Sequence, residues 1–179
     1  MSVSACQNCP LSKLEVNKDF VKPSGYPRAR IMFVGMNPSN KRCSTSVFGG
    51  EDDRHKSIVN EMLKGVNLTR DNVYFTNILK CRPPENREPL PEEVAAHTPW
   101  LIKQIREMKP KVICSLGNHA TKFFLSGCSV EGMKSQPGIT SVHGKVQIIE
   151  IDGMKIKLIP LFHPAAIIYN RSLIDRWEE

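Results

Sequence analysis

Two cysteines three positions apart stand near the start of the chain. Cys6 and Cys9 lie in CQNCPL, and a Cys-x-x-Cys pair lets two thiolates grip one metal ion or one edge of an iron–sulfur cluster. A third cysteine, Cys81, comes far downstream, just before a proline-rich stretch. In a reducing compartment such thiols stay free or bind metal. Cys114, inside KVICSLG, reads as a small core residue, and Cys43 and Cys128 fall in loop-like stretches with no assigned role. A second set of polar residues carries different chemistry. Asn37, Asn77, Asn118 and His163 follow apolar runs, in Gly35-Met36-Asn37-Pro38-Ser39, Thr76-Asn77, Leu116-Gly117-Asn118 and Phe162-His163-Pro164. A carboxamide both donates and accepts hydrogen bonds, and a neutral imidazole does one with each nitrogen.

These groups need elements to position them. Strand-like runs cover Arg30–Val34, Val73–Ile78, Val112–Ser115, Val146–Ile151 and Lys155–Leu161. Helical spacing covers Arg54–Lys64, Glu92–Met108, Gly117–Leu125 and Ala165–Trp177. Pro99 interrupts the second of these and predicts a bend or a helix end near His97. Asp152-Gly153 between two strand-like runs predicts a hairpin turn. Alternating strands and helices argue for an α/β sandwich with a mainly parallel sheet. Ligands of such sheets bind beyond the carboxyl ends of the strands. The four polar peptides all sit there, so one rim should gather them.

The bulk properties fit one domain over residues 1–179, with an N-terminal metal-binding segment. The formal charge of +7 and the pI of about 9.2 are compatible with a polyanionic partner. No apolar run reaches the roughly 18 residues a membrane span needs. The first residues lack a charged start followed by a greasy stretch, so a cytoplasmic protein with no membrane partner is the expectation.

Taken together and in order, these segments resemble the uracil-DNA glycosylase superfamily. The nearest likeness is its iron–sulfur family, called family 4, and it covers Ala5 to Asn170. The most specific stretch is VYFTNILKCRPPENREPLPEE; CQNCPL, VGMNPS and LFHPAAII complete the pattern. The resemblance implies a three-layer α/β sandwich around a central, mainly parallel four-stranded sheet. It implies a monomeric, monofunctional base-excision repair enzyme that acts on uracil in single- or double-stranded DNA, with other deaminated bases as a wider range.

It also implies roles. Asn77 matches the residue that reads uracil, and Phe48, before Gly49-Gly50, matches the aromatic that stacks on the flipped base. Gly35 and Met36 join them as substrate-binding residues. His163 matches the histidine that donates to the developing charge on uracil O2. The first motif departs from family 4, which typically reads Gly-Glu-Ala-Pro-Gly. Met36 replaces the carboxylate, and Asn37 stands where mismatch-specific and single-strand-selective relatives carry Asn to orient the attacking water. Family 4 places a fourth cysteine sixteen positions after the third, and here that position is His97. Cys6, Cys9, Cys81 and His97 are therefore the expected ligands of a [4Fe–4S] cluster. Zinc, a cluster with three protein ligands, and His97 as a surface histidine remain open alternatives.

The loop Ala165–Arg171 is a candidate wedge into the duplex, against a helix that buries Ile167 and Ile168. Lys41, Arg42, Arg82, Arg87, Lys145 and the segment at His143 are candidate phosphate contacts. Three rival readings stand beside the glycosylase: an inactive DNA-binding member of the fold, a small-molecule nucleotide hydrolase, and a zinc-stabilised interaction protein.

Overall fold

The computed structural model of the chain describes residues 9–14, 21–38 and 54–173, without the side chains of 54–56, 167–169 and 171. Within these residues one six-stranded sheet forms, in the order β1-β3-β2-β4-β6-β5. Its strands are β1 (Ser24–Gly25), β2 (Ile31–Gly35), β3 (Tyr74–Asn77), β4 (Val112–Leu116), β5 (Gln147–Ile151) and β6 (Met154–Leu161). The four central strands, β3, β2, β4 and β6, run parallel. β1 and β5 add antiparallel edges, so the sheet is two strands wider than the expected four.

The central strands read as apolar runs because both sheet faces are covered. On one face Phe33 and Phe75 stack at 5.2 Å between ring centres and pack with Val59 and Leu63 of helix α1 (Arg54–Gly65). On the other face Met32, Val34 and Ile113 pack with Leu101 and Ile105 of α2 (Pro91–Met108) and with Phe123 and Phe124 of α3 (Asn118–Leu125). Cys9 and Leu11 belong to this second core, which docks the N-terminal segment on the α2 side. The short helices α4 (Ile139–Val142) and α5 (Pro164–Tyr169) complete the set. No helix among the described residues is long and apolar enough to cross a membrane.

Three details of the expected elements change. α2 runs unbroken from Pro91 to Met108 with Pro99 inside it, so there is no helix end near His97. The buried stripe of Val94, His97, Leu101, Gln104 and Ile105 holds both sides of the proline to one core, and that packing outweighs one missing backbone bond. The last helix ends at Tyr169 instead of running to Trp177. Asn170 is extended, and its Oδ1 accepts from the Ser172 backbone N–H at 3.1 Å, which turns the chain. The first residue of the expected third helix, Gly117, is its cap, at φ 85°. The hairpin forms as expected, with Asp152 at φ 53° and Gly153 at φ 74°.

Gly25 shows how tightly the edge is built. It sits at φ 97°, and a Cβ there would lie 2.1 Å from the carbonyl oxygen of Val73. Gly25→Ala should therefore destabilise the fold by about 1–3 kcal/mol, read as a lower urea midpoint with an unchanged slope. An unchanged midpoint would show that β1 does not hold the sheet edge.

Candidate active site and metal site

Parallel pairing brings the predicted rim residues together. Gly35 and Asn77 are register partners at the carboxyl ends of β2 and β3. Leu116 and Leu161 are partners at the ends of β4 and β6, and the Gly117 N–H donates to Leu161 O at 2.8 Å. A Cβ on Gly117 would lie 3.1 Å from the Cβ of His163, so the imidazole packs directly over that strand end. Asn37 lies two residues beyond β2. Four neighbouring strand ends thus carry Asn77, the Gly35–Asn37 loop, Gly117 and His163. Phe48 lies outside the described residues.

Strand alternation gives Asn77 a face. It follows Phe75 by two residues and so projects to the α1 side, as Gly35 does after Phe33. Met36 points elsewhere. With Ile78, Leu79, Val94, Asn118 and Met133 it lines a cavity of about 500 Å³ between the 88–91 loop and α3. Two expected substrate residues, Gly35 and Met36, therefore belong to opposite sides of one rim.

The imidazole of His163 is oriented by its neighbour. Its Nδ1 accepts from the Ala165 backbone N–H at 3.1 Å, as cap of α5. That bond needs a bare Nδ1, which puts the proton of the neutral ring on Nε2. Asn37 Nδ2 donates to Pro38 O at 3.0 Å and to Asn86 Oδ1 at 2.9 Å.

Behind Asn77 sits a residue that pattern reading passed over. Lys80 is fully buried, and burial pushes its ammonium down to about 7. Its Nζ donates to Thr76 Oγ1 and Gln104 Oε1, both at 2.8 Å, and to the backbone carbonyl of Asn77. Three acceptors match the three donors of an ammonium, so each proton of the charged form has a partner even though burial disfavours the charge. The cradle also pins the main chain of Asn77. The one sequence signal was a lone lysine inside the apolar run TNILKC.

The expected metal ligands converge in part. Cys9, Cys81 and His97 are all buried on the α2 side, and Cys9 Sγ lies 3.9 Å from His97 Nδ1. His97 is 1% exposed, so it is no surface histidine. Its Nδ1 lies 2.8 Å from Glu93 O, an acceptor, so this nitrogen carries the proton. Nε2 is then a bare lone pair, buried and without a hydrogen-bond partner. Burial pushes the ring's pKa below its ordinary value, which keeps it neutral. A neutral imidazole held by a backbone carbonyl, with its other nitrogen left bare, is what a metal ligand requires. Cys6 lies outside the described residues, and among the described ones no three such side chains form a metal-sized group. The donors described, the thiols of Cys9 and Cys81 and the imidazole of His97, are of the types that hold a cluster or zinc.

Several candidate phosphate contacts have other duties. Arg87 pairs bidentately with Glu93, Nη2 to Oε1 at 2.7 Å and Nη1 to Oε2 at 2.9 Å. The Arg87 hydrogen bond holds the Glu93 carboxyl below the usual carboxylate range. His143 Nδ1 accepts from the Phe162 N–H, and its ring lies 4.2 Å from that of Phe162. Lys145 Nζ donates to Ser141 O at 2.9 Å. Lys41, Arg42 and Cys43 lie outside the described residues, as do the side chains of Ile167 and Ile168.

An α/β sandwich with carboxamides and an imidazole at consecutive parallel strand ends defines a class: α/β domains whose ligand site lies at the carboxyl rim of the sheet. Comparison with known proteins makes the class specific. The uracil DNA glycosylase superfamily profile matches residues 23–179. A type-4 uracil-DNA glycosylase of Archaeoglobus fulgidus is 36% identical over 98% of this chain and 84% of its own length. A type-4 enzyme of Sulfurisphaera tokodaii is 38% identical over 99% of this chain and 77% of its own. One of Thermotoga maritima is 38% identical over 95% and 81%. The chain belongs to the uracil DNA glycosylase superfamily.

The Lys80 cradle yields a stability test. Gln104→Leu leaves the buried ammonium one acceptor short, and should cost about 1–3 kcal/mol in chemical denaturation. A variant as stable as the parent would show that Lys80 does not need its third partner.

Proposed function

We propose that this chain is a uracil-DNA glycosylase that flips uracil from DNA and hydrolyses its bond to the sugar, with Asn77, Asn37 and His163 in the leading roles. The observation that carries the reading is the imidazole of His163, held over Gly117 with its Nε2 as donor, at the same rim as Asn77.

A stacked base is out of reach, so the enzyme extrudes it at a cost of about a few kcal/mol. Asn77 then reads the edge. Its N–H donates a hydrogen bond to O4 and its carbonyl oxygen accepts one from N3–H, and cytosine presents the opposite pattern. That mismatch leaves buried groups unpaired, worth about 1–3 kcal/mol of discrimination. Phe48 stacks on the base, and Gly35 lets the backbone approach it. As the glycosidic bond breaks, the pair of electrons goes to uracil and the sugar becomes cation-like. The Nε2–H of neutral His163 meets the charge growing on O2. Asn37 orients the water that adds to the sugar, and the proton that water loses is released to solvent. Met36 carries no carboxylate, so no general base stands in that position. The reaction should be slower than with one, and a flat pH profile above neutrality is expected.

Cys6, Cys9, Cys81 and His97 through Nε2 would hold a [4Fe–4S] cluster, with zinc as the alternative. A group held there would tie the segment at Cys9 to α2 and to the loop that follows Asn77. DNA is the partner, and the net charge of +7 suits it. A monomer in the cytoplasm belongs to the same proposal.

Two experiments decide. Asn37→Ala should slow single-turnover release of uracil from an oligonucleotide by roughly a hundred-fold while DNA affinity holds. An unchanged rate would remove Asn37 from the chemistry, and a parent protein that binds but never cuts would favour the inactive DNA-binding reading. For the metal, anaerobic protein should be coloured and carry about four irons. His97→Ala should lose iron that His97→Cys retains. Colourless protein with stoichiometric zinc would reject the cluster.

A further inference from the structure

The amino ends of the parallel strands form the pole opposite the candidate active rim, and cations gather there. Arg30 stands just before β2, Lys111 just before β4, and Lys157 in the first half of β6. Backbone bonds make them neighbours. The Lys111 N–H donates to Arg30 O at 2.8 Å, and the Lys157 N–H donates to Lys111 O at 3.1 Å. Arg28 extends the row through a turn closed by Ala29 N–H to Tyr26 O at 3.0 Å, and the Tyr26 N–H donates to Val73 O beside β3. Arg28, Arg30, Lys111 and Lys157 are all exposed, and none makes an ion pair with a described residue. Carboxylates toward this pole have other partners: Asp152 is held by Arg106, Glu107 lies 3.8 Å from Lys103, and Glu150 is the register partner of Lys155. Asp71 stands in the turn before β3. Lys109 is the cap of α2, and the negative end of that helix accounts for its charge.

The candidate rim is arranged differently: there Arg87 is bound to Glu93 and Lys145 to Ser141 O. The opposite row lies about 15 Å from it, the length of β2 or β4. Like charges on adjacent strands repel, and a bound anion relieves them. A row of cations is answered by a row of anions, which a phosphate backbone supplies. Tyr26, 48% exposed, adds an aromatic face beside Arg28 on which an unpaired base can stack. An acidic protein would use the charges and leave the ring idle. We propose that this pole is a second nucleic-acid surface, which holds single-stranded DNA by its phosphates on Arg28, Arg30, Lys111 and Lys157 and by a base on Tyr26. It is too far from His163 to touch an extruded base. It holds a second strand, or a distant stretch of the same one, while the rim is occupied. The inference goes beyond the cleavage reading and does not depend on it.

The test titrates the full chain at low salt with a uracil-free oligothymidylate of about ten nucleotides. The triple variant Arg30→Gln/Lys111→Gln/Lys157→Gln should bind one strand fewer per chain than the parent. With a long single strand, its dependence of log affinity on log salt should be shallower by about two, since each lost phosphate contact removes about 0.7. Tyr26→Ala should weaken binding of the extra strand about ten-fold and leave the salt slope unchanged. Cleavage of a short uracil oligonucleotide at saturating enzyme should stay within about two-fold of the parent in both variants. Equal stoichiometry and equal slope in parent and triple variant overturn the proposal. So does a folded triple variant that cleaves slowly at saturation, because the row would then belong to the candidate active site. Unchanged affinity in Tyr26→Ala overturns the assignment to single strands. If the triple variant does not fold, Lys157→Gln decides: its slope should fall by about 0.7, and an unchanged slope overturns the inference. A parent that binds the extra strand but never cuts would sink the glycosylase reading and leave this surface standing.

Discussion

Lys80 sets an amine inside the protein at the point where β3 becomes a loop, and burial lowers its pKa to about 7. An ammonium taken out of water is tolerable only when every proton finds an acceptor. Thr76, the carbonyl of Asn77 and Gln104 meet that demand from two elements, β3 and α2. The consequence is geometric. The base-reading candidate Asn77 comes three residues before this charge, and the candidate ligand Cys81 comes one after it. Neither segment can shift without exposing the ammonium to an incomplete shell. A buried charge of this kind is a poor source of net stability but a strict constraint on register.

The proline-rich loop is the second fixed part. Its start is left-handed at Glu85 and Asn86, and its end is clamped by Arg87 to Glu93 in the first turn of α2. Glu93 serves three partners at once: it pairs with Arg87, caps the Leu90 N–H, and offers its carbonyl to His97. A residue that reads as an ordinary surface glutamate is therefore fully buried. The strand end that carries Asn77, the proline-rich loop and the candidate ligand His97 are all tied to α2, through Gln104 and Glu93.

The placement of Met36 fits this arrangement. Met36 turns into the apolar cavity beside Ile78 and Leu79, away from the face that Asn77 shares with α1. Its neighbour Asn37 is bonded instead to the loop. In the proposed reaction the water-orienting task falls to the carboxamide of Asn37.

Periodicity alone made the parallel core legible, because strands buried on both faces must be continuous apolar runs and the peptides that follow them must meet at one rim. The Asp152-Gly153 turn was legible because its two left-handed residues leave little other choice. Pro99 misled, since a local rule about one backbone bond says nothing of the core that grips the helix on either side. The helix after His163 ran too long because the Asn170 turn depends on a side chain bonding its own backbone. What chain order could not reveal were pairings between distant residues. Lys80 with Gln104, Asn37 with Asn86, and the bare Nε2 of His97 exist only once β3, the 84–90 loop and α2 are packed. Spacing names which residue types are available for chemistry; which proton and which lone pair each one presents is decided by the neighbours that folding supplies.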